Sequence, residues 1–217
     1  MRNENMLESF VQLGVGFSVA LSGALIPGPL LAFVAMKTLE SGARTGTLAA
    51  IGHIIVELLL LALMAFGLRF ILKSQFFMKT MGLVGGVLLF IVGVLIISKI
   101  RDVSSPQENV PGIKHHPLTG GVLFSTIFNP SVVLWWITVG LTTLMAAIEI
   151  AGIIGGAFWL IGHFLADLVW FSSISYSVDK GREIIGGTFY KVLLIACSST
   201  LFIFGFYFVT KHIDLIL

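Results

Sequence analysis

Residues 51–66 read IGHIIVELLLLALMAF, an apolar run of the kind that sits in hydrocarbon, interrupted by His53 and Glu57. Their four-residue spacing sets both side chains on one face of a helix. Residues 161–170, IGHFLADLVW, repeat the pattern Gly-His-x-x-x-acid with Gly162, His163 and Asp167. A carboxylate at the centre of a bilayer costs about 2.5–3.5 kcal/mol, so each acid is expected to face a protein interior and to act there.

The rest of the chain has the same character. Of its 217 residues 57% are hydrophobic and 11% charged, and mean hydropathy is +1.02. Soluble domains carry about 25% charge, and one of this size cannot hide so much apolar surface. A span needs about 20 apolar residues, and six are expected, over 7–36, 47–68, 76–98, 118–145, 150–178 and 184–209. The fold expected is an all-α integral membrane protein with no separate soluble domain. Arg2 before an apolar stretch resembles a signal peptide, but Glu4, Glu8 and apolar character continuing to Met36 mark a retained first helix.

The net charge of +2 forms no basic stripe, so no nucleic-acid partner is expected. The single cysteine, Cys197, excludes an internal disulfide and multi-cysteine metal sites and reads as packing. No cofactor is expected. No serine–histidine or paired-aspartate arrangement at enzymatic spacing is present, which argues against an enzyme.

Residues 99–117 hold Pro106, Pro111, Gly112 and Pro117 among several charges and read as a linker dividing the spans three and three. His115 and His116 within it read as a solvated pair. The two sides match in order. Each first helix is interrupted by proline, at Pro27-Gly28-Pro29 and at Asn129-Pro130. Each second helix carries Gly-His-x-x-x-acid, and each third a glycine pair, Gly85-Gly86 and Gly186-Gly187. The chain therefore reads as one transporter domain, 1–217, with repeat one at about 7–98 and repeat two at about 118–212. Three spans per repeat make the second start on the opposite side of the membrane, so the repeats are inverted. Inverted repeats with broken helices are a recurring plan of secondary transporters, whose sites lie where the halves meet.

Proline inside a helix removes a hydrogen bond, at about 3 kcal/mol, and in lipid such breaks persist where protein or a wet cavity covers them. Pro27, Gly28, Pro29, Asn129 and Pro130 are therefore the candidate substrate-binding residues. His53, Glu57, His163 and Asp167 are the candidate ion-coupling residues, since carboxylates and imidazoles load and release protons. The same four suit zinc or manganese as an alternative. Gly42-x-x-x-Gly46, Gly82-x-x-x-Gly86 and Gly152-x-x-x-Gly156 read as close-packing motifs and permit a homodimer. Trp135, Trp136, Trp159 and Trp170 suit either the headgroup level or a cavity wall. Lys37, Arg44, Lys99, Arg101, Lys114, Lys180 and Arg182 on one face outnumber Arg2, Arg69, Lys73, Lys79 and Lys211 on the other, which puts both termini outside the cytoplasm.

Together these residues resemble the LysE/RhtB-type amino-acid exporter family, part of the LysE superfamily of small six-helix membrane transporters, over most of the chain. The likeness rests on Pro27-Gly28-Pro29, then Gly42-Ala43-Arg44-x-Gly46, then a second helix closing at Gly67-Leu68 with Glu57 ten positions before that glycine. Asn129-Pro130, Asp167 and Trp170 complete it. Leu30 and Val56 depart from it, standing where members often carry Asn and Gly, and His53 and His163 are not general family features. The resemblance implies efflux of amino acids or related small metabolites across the cell membrane, as an antiport driven by a proton or sodium gradient. Its partners would be that solute, the coupling ion and membrane lipid. The superfamily's metal-ion exporters keep a divalent cation as the alternative cargo.

Overall fold

A computed structural model describes residues 2–25, 28–67, 74–99, 115–126 and 129–213. The described residues are helical throughout apart from short turns and caps. Helix α1 is Arg2–Ala24, α2 Pro29–Ser41, α3 Arg44–Ala65, α4 Gln75–Lys99, α5 Pro117–Ser125 and α6 Pro130–Trp135. A π-helical turn, Trp136–Gly140, leads into α7, Leu141–His212. Met6–Ala24, Arg44–Ala65 and the 51 residues of Ser131–Gly181 are long and apolar enough to cross a membrane; Gln75–Ile91 and Ile195–Lys211 are shorter apolar helices. The chain is an all-α membrane protein.

Helix breaks fall at both proline positions, between Ala24 and Pro29 and between Ser125 and Pro130. Proline opens α2, α5 and α6 because the first helical turn has no use for the missing N–H. The two parts of the first broken helix are unequal. Helix α1 has 23 residues, enough to cross a bilayer alone, whereas α2 has 13. Most of the linker, residues 100–114, and Pro27 lie outside the described residues.

The 72 helical residues of α7 would extend about 108 Å if straight, far beyond a bilayer. They fold back. Gly152 has φ +67°, and beyond it Gly156 lies against Ile148 and Leu144, contacts that a straight helix forbids. A second reversal lies between Phe171 and Phe204, which line one cavity although 33 residues apart in sequence. Of the glycines read as packing motifs, Gly152 is thus a turn, and Gly42, with φ +79°, ends α2. Gly46 and Gly86 do pack closely, against Phe171 and Ser175 and against Gly205 and Phe208.

Helix α3 runs antiparallel to the 163–175 part of α7. Ser175 Oγ donates to the Ala43 carbonyl at 2.6 Å, Thr47 and Ser172 hydroxyls meet at 2.8 Å, and further along α3 Glu57 meets His163. Glycines let helices of the two halves approach closely, Gly52 and Gly162 among them. Gly52 lies against the Leu118 carbonyl of α5, and Gly162 against the Leu13 carbonyl of α1. Within lipid no hydrophobic force joins apolar helices, so such backbone approach sets their spacing. Phe33 of α2 stacks on Phe124 of α5 at 4.7 Å and is fully buried. In Gly162→Val the new side chain meets the Leu13 carbonyl; overpacking of this kind costs about 1–3 kcal/mol. The expected result is a lower thermal midpoint by size-exclusion fluorescence in detergent, and an unchanged midpoint contradicts the close contact.

Candidate functional site

The two Gly-His-x-x-x-acid helices bring their polar faces together. His53, Glu57, His163 and Asp167 are 8%, 2%, 2% and 3% exposed, and all four line one cavity of about 200 Å³. That is room for a small organic solute, since a water's share of the liquid is about 30 Å³. Gly28 and Asn129 line the same cavity. Pro29 is buried at the first position of α2 and is not part of the wall, and Pro130 opens α6; Pro27 lies outside the described residues.

Glu57 is the hub. Its Oε1 accepts from Trp136 Nε1 at 2.9 Å, and His163 Nε2 lies 3.0 Å and His53 Nε2 3.3 Å away. An indole N–H only donates, which makes this oxygen an acceptor whatever the histidine tautomers. His53 is fixed from its other side, where Nδ1 meets Ser125 Oγ at 2.8 Å. A proton on Nε2 directed at Glu57 leaves Nδ1 to accept from the serine. Asp167 Oδ2 stands 3.5 Å from His163 Nε2, an ion-pair separation. Glu57 Oε2, Asp167 Oδ2 and His163 Nδ1 are buried and make no hydrogen bond among the described residues. Buried polar atoms are rarely left unpaired, so these atoms are open to a further hydrogen-bond partner.

The arrangement is not symmetric. His53 sits against Ser125, whereas His163 is enclosed by three indoles. Its ring stacks on Trp159 at 5.4 Å and 15°, with Trp136 at 5.0 Å and Trp135 at 5.1 Å. Trp136 and Trp159 are fully buried, and Trp135 lines the cavity. These three tryptophans therefore build the site; Trp170 instead packs against the apolar core around Phe33 and Cys197. His116 of the linker pair caps α5, its ring accepting from the Leu118 amide at 3.3 Å.

Sequence reasoning missed Ser125 and the donor role of Trp136. The π turn begins at Trp136, and the widened helix there has no local sequence signature. Trp136→Phe keeps a ring but removes the donor to Glu57, and a hydrogen bond to a charged group is worth about 1.5–3 kcal/mol. Transport is expected to fall by about tenfold or more in reconstituted vesicles; wild-type rates deny the indole any part in holding Glu57.

His53, Glu57 and Asp167 each offer a ligand atom within 4.8 Å of the others, a spacing that a divalent cation can close. The cavity thus has the chemistry to hold a cation or an amine, and aromatic and aliphatic side chains make up much of its wall. A model of the LysE type translocator family matches residues 21–212. Neither a curated protein nor a solved structure matches the chain. With most of its length matched, the chain belongs to the LysE type translocator family.

Proposed function

We propose that this member of a family of membrane translocators, transport proteins rather than enzymes, exports amino acids or related small metabolites by proton- or sodium-coupled alternating access. The observation that carries the reading is a cavity bordered by both helix breaks and by four buried ionisable side chains, two of them with a carboxylate oxygen that has no hydrogen-bond partner among the described residues. Secondary transporters place substrate and coupling ion at such interrupted helices, where half-helix termini supply partial charge. Gly28 and Asn129, next to the helix-opening Pro29 and Pro130, border the substrate; Glu57 and Asp167 carry the coupling ion, with His53 and His163 adjusting its hold.

The chain acts as a single transporter domain of six spans in two inverted repeats. The reciprocal glycine contacts support this reading, because each Gly-His helix packs on the first half of the other repeat's broken helix. In the plasma membrane, the excess of Lys and Arg in the odd-numbered loops favours those loops as cytoplasmic and the termini as external.

The test is uptake into proteoliposomes, with and without an imposed pH or sodium gradient. Amino-acid flux that rises with the gradient is the expected result, and flux indifferent to both gradients rejects coupling.

The second reading, export of a divalent metal, is favoured by the grouping of His53, Glu57 and Asp167. Against it stand the indole that occupies Glu57 Oε1 and a wall that, apart from the four ionisable groups, Asn129 and Ser131, is apolar. Metal flux that vanishes in His53→Ala and His163→Ala, with no amino-acid flux, replaces the first reading by the second.

A further inference from the structure

We infer that the cavity selects a zwitterionic amino acid with an uncharged, apolar side chain, holding its ammonium on Glu57 and Asp167 and its carboxylate at the N-terminal turn of α2. The inference rests on the exporter reading and narrows its substrate. Glu57 Oε2 and Asp167 Oδ2 are buried acceptors that make no hydrogen bond among the described residues, on carboxylates that line the cavity. One carboxylate oxygen of Glu57 and one of Asp167 lie within 4.8 Å of each other, with a His53 ring nitrogen in the same group, so the two acids form one amine subsite rather than two separate ones. An ammonium, with three donors and no acceptor, is the group such a pair completes.

The opposite charge has its own place. Gly28, Leu30 and Leu31 at the start of α2 line the cavity, the N-cap Gly28 supplies no side-chain hydrogen bond, and no acidic residue stands in the first turn. Pro29 has no N–H, but the Leu30 and Leu31 amides in the first turn lack intrahelical partners and lie at the positive end of the helix dipole, which suits a carboxylate.

What remains for the side chain is uncharged and largely apolar, Asn129 and Ser131 being the polar exceptions and hydrogen-bonded to each other. Val132, Trp135, Phe171 and Phe204 supply the wall, and among the described lining residues no carboxylate lies outside the single acidic pair. Lysine carries its second ammonium at the end of a four-carbon stem, so it would bury that charge without a partner. Glutamate fares no better, because the cavity's two histidines already face Glu57. Proton and ammonium then claim the same carboxylate oxygens in turn, which makes exchange of one for the other the natural cycle.

Counterflow in proteoliposomes holding the full chain tests this with leucine, lysine and glutamate. Competition with leucinamide, which lacks the carboxylate, and with 4-methyl-2-oxopentanoate, which lacks the amine, tests the two ends. Leucine is expected to exchange, with lysine and glutamate slower by about 100-fold, a discrimination that an unpaired buried charge readily supplies. Neither truncated analogue should compete. Lysine or glutamate exchanging as fast as leucine overturns the inference and leaves the exporter reading standing. Either analogue competing as well as leucine overturns the assignment of the end it lacks. Exchange of no amino acid overturns both readings together.

Discussion

Glu57→Gln is expected to abolish transport while leaving a folded protein. The substitution keeps the shape and one acceptor oxygen, so Trp136 retains its partner, but it removes the charge that two histidines approach at 3.0 and 3.3 Å. A hydrogen bond to a charged group is worth about 1.5–3 kcal/mol, and without the charge a bound cation is no longer held at the hub. On that scale gradient-driven uptake falls by about 100-fold. Counterflow fails too, since Glu57 also contributes an oxygen to the amine subsite. Size-exclusion profiles check that the protein is intact, and Glu57→Asp separates charge from reach: it keeps the charge, shortens the side chain and should retain a fraction of the flux. Wild-type uptake in Glu57→Gln removes the hub from the mechanism.

Asp167→Asn should have nearly as large an effect for a different reason. Asp167 Oδ2 stands 3.5 Å from His163 Nε2 and makes no hydrogen bond among the described residues. An isosteric amide therefore costs the fold little. It does replace an anionic acceptor by a neutral group, and charge-assisted hydrogen bonds are roughly twice as strong as neutral ones. Counterflow is expected to fall by about tenfold or more with an unchanged thermal midpoint. Equal flux in wild type and Asp167→Asn contradicts its role in coupling and in amine binding alike.

The difference between these two carboxylates was not legible in the sequence, where Glu57 and Asp167 occupy matching places. Both lie four residues after a histidine, and that spacing alone fixed the shared helix face on which the structure places them. What it could not fix was the depth and phase of the partner helices. Those put Ser125 against His53 and three indoles around His163. The apolar runs and the prolines announced the helices and where they break, because hydrophobic length and a missing N–H are local properties. The unequal halves of the first span were not local, since α1 continues to Ala24 through polar residues at its start. The glycine motifs likewise carry two meanings. Spacing reads as close packing, yet Gly42 and Gly152 adopt positive φ and serve as turns, which depends on where the chain must reverse.

The central claim is that a gradient-driven exporter works through the carboxylates of this one cavity. It is tested most directly by uptake of labelled amino acids and divalent metals into proteoliposomes, for wild type and Glu57→Gln, with and without an imposed pH or sodium gradient. The account predicts amino-acid flux in the wild type that one of the gradients accelerates and that Glu57→Gln loses. Amino-acid flux unaffected by either gradient and by Glu57→Gln, or flux of metals alone, contradicts it.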